Sequence, residues 1–193
     1  MNCLDRSFVT PSAQRPGRSR RFLVWVTLLL VAPSSFILSA KAQHSEYDVK
    51  AAFIANFVKF VRWPAGALPD ANAPLTIGIL GNDPFGGALD RSVHEQSAGG
   101  RKMNVRRGRR VEDLRGCQVV FIGSSVGNLG QTLAALPGNV LTISDIPGFT
   151  RQGGMIGFVM EGDKVGFEIN SANAQRAGLE ITSRLLRLAK GAG

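Results

Sequence analysis

The five residues from Gly123 to Gly127 match the pattern G-x-S-x-G, in which a serine on a sharp strand-to-helix turn acts as a nucleophile. In that arrangement the catalytic histidine follows the serine and the acid along the chain. Both histidines of this chain, His44 and His94, precede Ser125. The sequence therefore disfavours a hydrolase, and we predict a non-enzymatic protein without catalytic residues.

Polar side chains come directly after three predicted strands, at residues 82–83, 124–125 and 145. In open α/β sheets, ligands bind beyond the carboxyl ends of the strands. Loops at these positions also form simple turns, and composition alone does not separate the two interpretations. The residues of the candidate ligand crevice are Asn82, Asp83, Ser124, Ser125 and Asp145.

A dense basic segment spans residues 101–115 and contains seven lysines and arginines. A run of charge is usually a solvated face. Its functional alternative is docking against an acidic partner or an anionic membrane surface. We take Arg106, Arg107, Arg109 and Arg110 as candidate partner-binding residues. Trp63 is a further candidate, as either an interface anchor or the edge of the core.

Cofactor and metal chemistry find no support in the sequence. No P-loop and no G-x-G-x-x-G fingerprint is present, so we predict no cofactor and no metal site. Cys117 is the lone thiol of the region after residue 42, which allows no intramolecular disulfide there. A small buried hydrophobe and a reactive or intermolecularly paired thiol remain the two interpretations of this residue.

Residues 1–42 have the pattern of a secretory signal peptide. Arginines up to Arg21 form a positive region, residues 22–31 (FLVWVTLLLV) form an apolar region, and Ala40-Lys41-Ala42 is an A-x-A cleavage site. A membrane anchor is the alternative, but Pro33 interrupts the apolar run, and a spanning helix needs about 20 apolar residues. We predict export, a periplasmic location and no transmembrane helix after cleavage.

Cleavage would also change the charge of the protein. The signal segment carries six of the 23 Lys and Arg and one of the 14 Asp and Glu, so the remainder has a net charge of 17 minus 13, or +4. The strongly basic composition is therefore mostly a property of the signal, and we predict no nucleic-acid partner. The remaining residues, 43–193, are enough for one domain that folds without a disulfide or metal.

Strand and helix patterns alternate in residues 43–193, which predicts βαβ units and a mainly parallel sheet flanked by helices. We expect a first helix over 46–63 with an apolar stripe that includes Val49, Phe53 and Asn56, and with Lys50 off that stripe. A β-hairpin with a four-residue loop at 161–164 and a final helix capped by Asn170 or Ser171 end the chain. The predicted intermediate segments are strands at 75–80, 102–107, 118–122 and 140–144 and helices at 84–97 and 126–136.

The sequence from Tyr47 to Phe53 (YDVKAAF), followed by Asn56-Phe57 and by 60–64 (FVRWP), resembles the start of the YfiR-like family of periplasmic proteins. Similar segments follow in the same order: 77–85 (IGILGNDPF), 117–122, 141–145, 153–158 (GGMIGF), 167–170 (FEIN) and the helix from 177 to 189. The resemblance covers the whole region after the signal segment.

This resemblance implies regulation rather than catalysis. Members of the family are periplasmic repressors that bind the periplasmic sensory domain of an inner-membrane diguanylate cyclase and so restrain cyclic-di-GMP synthesis and biofilm behaviour. The implied fold is α/β and Rossmann-like, and the implied assembly is a homodimer. Family members under redox control have several cysteines. Because Cys117 is the lone cysteine after residue 42, the resemblance does not imply an intramolecular disulfide switch in this protein. A periplasmic small-molecule-binding module remains the alternative function.

Overall fold

The computed structural model describes residues 34–68, 70 and 73–191, with side-chain exposure from Glu46 onward. The chain divides into two units at residue 40, and the fold described below belongs to the second, Lys41–Gly193. The predicted signal peptide falls mostly outside the described residues, and the predicted boundary after Ala42 remains a prediction. Within the described residues, no helix is both long and apolar enough to span a membrane.

A six-stranded sheet with the order β3-β2-β4-β5-β6-β7 forms the centre of the domain. All neighbouring strands are parallel except β6 and β7, which form an antiparallel hairpin. This confirms the predicted fold class of a mainly parallel α/β sheet with a C-terminal hairpin. The strands are β2 (Leu75–Leu80), β3 (Met103–Gly108), β4 (Val119–Ile122), β5 (Leu141–Ser144), β6 (Ile156–Glu161) and β7 (Lys164–Ile169).

Helices cover both faces of the sheet. One face packs against the part of α1 (Ser34–Phe57) that follows residue 40 and against α2 (Ala88–His94), through residues such as Ile54 and Leu89. The other face packs against α3 (Leu129–Ala135) and a 3-10 helix (Val111–Leu114). Strands covered on both faces are mostly apolar, and β4 and β5 are buried along their whole length. The buried hydroxyls of Thr142 and Ser144 in β5 are hydrogen-bonded.

The first helix ends earlier than its apolar periodicity predicts. The α-helix stops at Phe57, a 3-10 helix spans Val58–Phe60, and β1 (Val61–Arg62) pairs antiparallel with β8 (Glu180–Ile181). The expectation of helix up to residue 63 is wrong at this end, because Val61 is held in extended conformation by its pairing with Ile181. Pro64 also disfavours helical backbone at the residue before it.

The buried face of α1 also differs from the predicted stripe. Val49, predicted to be on that stripe, is 42% exposed, whereas Lys50, predicted to lie off it, is only 3% exposed. Phe53 is half-buried and contacts the rings of Phe57 and Phe167 at the side of the helix. Phe57, also predicted to lie on the stripe, is 1% exposed, so the error is in the position of the stripe around the helix.

Two loops shorten the predicted helices. The Asp83 carboxylate accepts a hydrogen bond from the Phe85 N–H (2.7 Å), which makes a turn, so α2 begins at Ala88 rather than at Pro84. The predicted C-terminal helix is wrong as a single element: α4 (Ser171–Arg176), β8 and α5 (Ser183–Leu186) replace it. Gly178 has φ +71°, a conformation that breaks a helix.

The cap and the hairpin turn are resolved in detail. Asn170 caps α4 as predicted, with its side chain accepting from the Asn173 N–H (2.9 Å). The β6–β7 connection has two residues rather than four, because Glu161 and Lys164 are directly paired. Gly162, the first loop residue, has φ +56° and so permits this tight turn.

Candidate functional site

The loops after β2 and β4 are joined to each other. Ser125 Oγ accepts a hydrogen bond from the Asn82 N–H at 2.8 Å, while Ser124 is exposed beside it. Gly81 has φ +90°, and a Cβ atom there would lie 2.5 Å from Ser125 Oγ. The close approach of the two loops therefore requires glycine at position 81.

Ser125 does not meet a histidine in the described structure. Its hydroxyl is engaged with the loop after β2, at the carboxyl edge of the parallel strands. His94 ends α2 and lines a cavity with Met103 and Asn104, at the beginning of β3 and therefore at the opposite edge of the sheet. The G-x-S-x-G pattern here forms a turn that links two loops.

Asp83 is held by the basic segment. Its Oδ2 lies 2.7 Å from Arg107 Nε, and the same guanidinium contacts Asp90 Oδ2 at 2.5 Å and the Gly86 carbonyl at 3.0 Å. Hydrogen bonding from Arg107 lowers the pKa of Asp90, and the hydrogen bond to Asp90 raises the pKa of Arg107. Arg107 thus ties β3 to the loop after β2 and to α2.

Asp145, the candidate residue after β5, belongs to a separate cluster with α1. Its Oδ2 accepts a hydrogen bond from Lys50 Nζ at 2.9 Å and another from the Tyr47 hydroxyl at 2.8 Å. Glu46 Oε1 lies 2.5 Å from the same Nζ, which sits 4.5 Å from the centre of the Tyr47 ring. Burial raises the pKa of Tyr47 well above its ordinary value, and the hydrogen bond to Asp145 adds to this.

Lys50 is the site residue that sequence reasoning missed. A lysine between apolar residues of an amphipathic helix is normally assigned to the solvent face. The available signal was the spacing of Glu46 and Lys50, an i,i+4 acid–base pair on one helix. The second carboxylate, Asp145, is 95 residues away in sequence, so the pattern of α1 gives no indication of it.

A cavity of ≈460 Å³ opens beside this cluster. Its wall has the charged groups of Glu46, Lys50, Asp145, Arg151 and Glu168 and the aromatic rings of Tyr47 and Phe158. A volume of this size fits a small organic molecule. Because acids and bases face the same space beside aromatic surface, the arrangement suits a polar ligand with an apolar part. Within the described residues, no three acidic, histidine or cysteine side chains are grouped as a metal site.

The other candidate basic residues lie on and beyond β3. Arg106 Nη1 donates to the Arg115 carbonyl at 2.7 Å. The backbone N–H groups of Arg109 and Arg110 both donate to Asp113 Oδ2 at 3.0 Å. Both side chains are exposed, and Arg110 Nη2 lies 3.8 Å from Asp113 Oδ1. The structure therefore separates Arg107, which is committed to two carboxylates, from the more exposed guanidinium groups around it.

Trp63 and Cys117 lie away from the cavity lining described above. Trp63 is half-buried against the larger core cluster, and its Nε1 is buried without a hydrogen-bond partner among the described residues. Cys117 is 3% exposed and packs in the smaller core cluster with Leu80 and Leu114. Burial raises the pKa of its thiol, so the thiolate is disfavoured.

The chain is similar to a known protein family and to several solved structures. Residues 47–190, which are 144 of the 193 residues, match the profile of a family described as YfiR/HmsC-like. No curated protein matches the chain in sequence. A crystal structure of a conserved domain protein from Vibrio cholerae O1 biovar El Tor strain N16961 is similar at 11% identity and a TM-score of 0.40. The alignment covers 61% of this chain and 54% of that one, so it spans about half the length of the solved protein.

Proposed function

Because the chain belongs to the YfiR/HmsC-like family, we propose that it is a periplasmic regulator that binds a membrane-bound diguanylate cyclase and restrains its synthesis of cyclic-di-GMP. The observation that carries this proposal is the extent of the family match, which runs from Tyr47 in α1 to Lys190 after α5. The proposed domain is residues 43–193, released by cleavage of the signal peptide at 1–42. The partner in this proposal is the periplasmic domain of the cyclase.

Partner binding can proceed without chemistry on the partner. A regulator that binds one conformation of a signalling protein shifts its equilibrium by the difference in affinity for the two conformations. The exposed arginines around β3 supply the charge for recognising an acidic surface, and they also accelerate association. The protein therefore acts by binding alone, and no catalytic step is assigned to Ser125 or His94.

The test is the cyclic-di-GMP content of cells that express the full chain with a C-terminal tag. In a host with a membrane-bound cyclase that has a periplasmic domain, we expect the content to fall and the cyclase to co-purify with the tagged chain. The matched control lacks residues 2–42 and should leave the content unchanged. An exported, folded chain that neither lowers cyclic-di-GMP nor retains the cyclase would contradict the proposal.

A second candidate function, a periplasmic small-molecule-binding module, is favoured by the cavity beside Lys50 and Asp145. A ligand at 100 times its Kd stabilises a protein by about 2.7 kcal/mol, which gives a clear rise in Tm. Thermal unfolding of the full chain with single metabolites tests this candidate. The matched control is Glu180→Gln, at the exposed position of β8. A rise in Tm that is abolished by Glu168→Gln and preserved by Glu180→Gln would support the module.

A further inference from the structure

The strand β3 is an edge of the sheet, and one side of its backbone is open. The Leu75 N–H donates to the Lys102 carbonyl and the Gly81 N–H donates to the Gly108 carbonyl, both at 2.9 Å. In a parallel ladder alternate residues turn towards the neighbouring strand, so Asn104 and Arg106 also face β2. The backbone groups of the alternate residues point outward, away from β2, and no described residue forms a backbone hydrogen bond with these groups. These residues are Met103, Val105 and Arg107.

A groove follows this edge. Two cavities, of ≈360 and ≈450 Å³, share the same four lining residues: Val93 and His94 of α2, and Met103 and Asn104 of β3. An edge strand beside a helix is the arrangement by which an extended peptide adds to a sheet, because its main chain pairs with the edge and its side chains enter the flanking groove. The edge and the groove together form a docking surface, which we call the β3 groove.

The side chains of β3 indicate which extended segment fits. Met103 is buried and Val105 half-buried, and both pack with the core on the α1–α2 side. The exposed side chain of Arg106, next to Val105 in the strand, points to the opposite face and donates to the Arg115 carbonyl. Arg109 and Arg110 add exposed positive charge directly after the strand. A matching strand has acidic side chains on the Arg106 side, and on the α2 side it has small apolar side chains that contact the half-buried Val105.

A second copy of this chain fits the same edge poorly. Pairing β3 with β3 about a two-fold axis is antiparallel, and an axis near Arg106 places the guanidinium groups of the two Arg106 residues opposite each other on one face of the sheet. Like charges on directly opposing strands are destabilising. Charge complementarity therefore favours an acidic partner over self-association.

We propose that an extended segment with alternating acidic and apolar side chains adds to β3 as a further strand of the sheet. We assign this segment to the periplasmic domain of the cyclase, and that assignment rests on the proposed function. Backbone pairing supplies affinity along Met103, Val105 and Arg107, and Arg106 supplies selectivity for acidic side chains.

Two variants of the full chain separate backbone pairing from charge. Val105→Pro removes an N–H that points outward, and proline is tolerated on an edge strand where the N–H faces solvent. Arg106→Glu reverses the charge on the opposite face. Arg187→Glu, at an exposed position after α5, is the matched charge control, and thermal unfolding verifies that every variant is folded.

The probe is a short fluorescein-labelled peptide of alternating glutamate and valine, compared with one of alternating lysine and valine, by fluorescence anisotropy. We expect only the acidic peptide to bind the wild-type chain. Each β3 variant should bind it about tenfold more weakly, because Val105→Pro removes a main-chain hydrogen bond to the peptide and Arg106→Glu places a like charge beside its glutamates. The Arg187→Glu control should bind like wild type. If Val105→Pro lowers the Tm, the Arg106→Glu result decides alone.

The same variants are then tested against the periplasmic domain of the cyclase, which separates this inference from the proposed function. If the wild-type chain binds the acidic peptide but not the cyclase domain, the proposed function fails and the β3 groove stands. If both β3 variants bind the peptide and the cyclase domain as tightly as wild type does, the β3 groove is overturned. A dimer of the free chain that Val105→Pro dissociates would also overturn it, since a second copy would then occupy the edge.

Discussion

Lys50 Nζ lies 2.9 Å from Asp145 Oδ2, and this ion pair joins α1 to the carboxyl end of the central strand β5 across 95 residues of sequence. The lysine side chain is 4% exposed and the aspartate side chain 13% exposed. Removal of Asp145 leaves the buried Lys50 ammonium with one of its two carboxylate partners, and an incompletely compensated buried charge costs more than the pair itself contributes. The pair therefore has consequences for stability that differ from those of the ion pairs on the surface.

We predict that Asp145→Ala lowers the free energy of unfolding by about 3 kcal/mol, because Lys50 then keeps only Glu46 as a charged partner. Urea unfolding of the variant and wild type measures this difference. The matched control is Glu180→Ala, which breaks the exposed pair with Arg62 and should cost less than about 1 kcal/mol. The double variant Lys50→Met/Asp145→Leu should recover much of the loss. Equal losses of unfolding free energy for Asp145→Ala and Glu180→Ala would show that the buried pair contributes no more to stability than the exposed pair.

Gly154 tests the packing of the loop before β6. A Cβ atom at this position would overlap the ring of Phe149, which is buried at 1% exposure. We expect Gly154→Ala to destabilise the protein by about 2–3 kcal/mol, since an overpacked core must shift backbone or ring. Gly138→Ala is the control, because nothing lies within 4 Å of a Cβ atom there, and its effect should stay within about 0.5 kcal/mol. A similar Tm for both variants would count against this packing.

Cys117 should be unreactive in the folded protein. Burial raises the pKa of its thiol, so reaction with a thiol reagent at neutral pH should require unfolding and should become fast in urea. A raised pKa in the folded state gives stability that is complete below the unfolded thiol pKa of about 8.5 and is lost as the pH rises through the folded pKa. We expect Cys117→Ala to lack this loss of stability at alkaline pH. Urea unfolding of the variant and wild type, at neutral pH and at a pH above about 8.5, measures the difference. Rapid labelling of the native protein would contradict the prediction.

The contact between Arg107 and Asp90 predicts the opposite pH dependence. The hydrogen bond from Arg107 lowers the pKa of Asp90, so its contribution is present above the unfolded value of about 3.9 and is lost as the pH falls through the folded pKa. Both side chains are 41% exposed, so solvent screening keeps the contribution below about 1 kcal/mol. Arg107→Gln should reduce the acid-dependent loss of stability, and Arg187→Gln should not. An unchanged acid titration in Arg107→Gln would refute the assignment.

The sequence is most informative about the sheet. The runs 75–80, 118–122 and 140–144 predict strands within one residue of those observed, because a strand covered on both faces is mostly apolar and such a short apolar run is recognisable. The C-terminal helix shows the limit of periodicity. Its apolar residues repeat at helical spacing, yet Gly178 breaks the helix and Ile181 pairs with Val61 from the other end of the domain. A local pattern contains no information about that pairing.

The candidate site was only partly predictable for a related reason. Residues after strands are placed by the topology of a parallel sheet, and Asp145 does line the cavity. Asn82 and Ser125 meet each other instead, and Asp83 meets Arg107, because hydrogen-bond partners depend on side-chain reach across loops. The pattern of α1 places Lys50 off the apolar stripe and does not indicate its burial, because the carboxylate of Asp145 follows a distant strand. Tertiary pairing decides both outcomes.

The aromatic contacts of α1 have a consequence for the order of events during synthesis. The Phe57 ring lies 4.8 Å from that of Phe167, its partner about 110 residues later in the chain. A ribosome adds about 5–20 residues per second, so the phenylalanines of α1 wait about 5–20 s for the hairpin that covers them. During that interval the phenylalanine side chains of α1 are exposed and prone to aggregate. A chaperone that binds exposed aromatic residues would therefore bind α1 before the protein can fold.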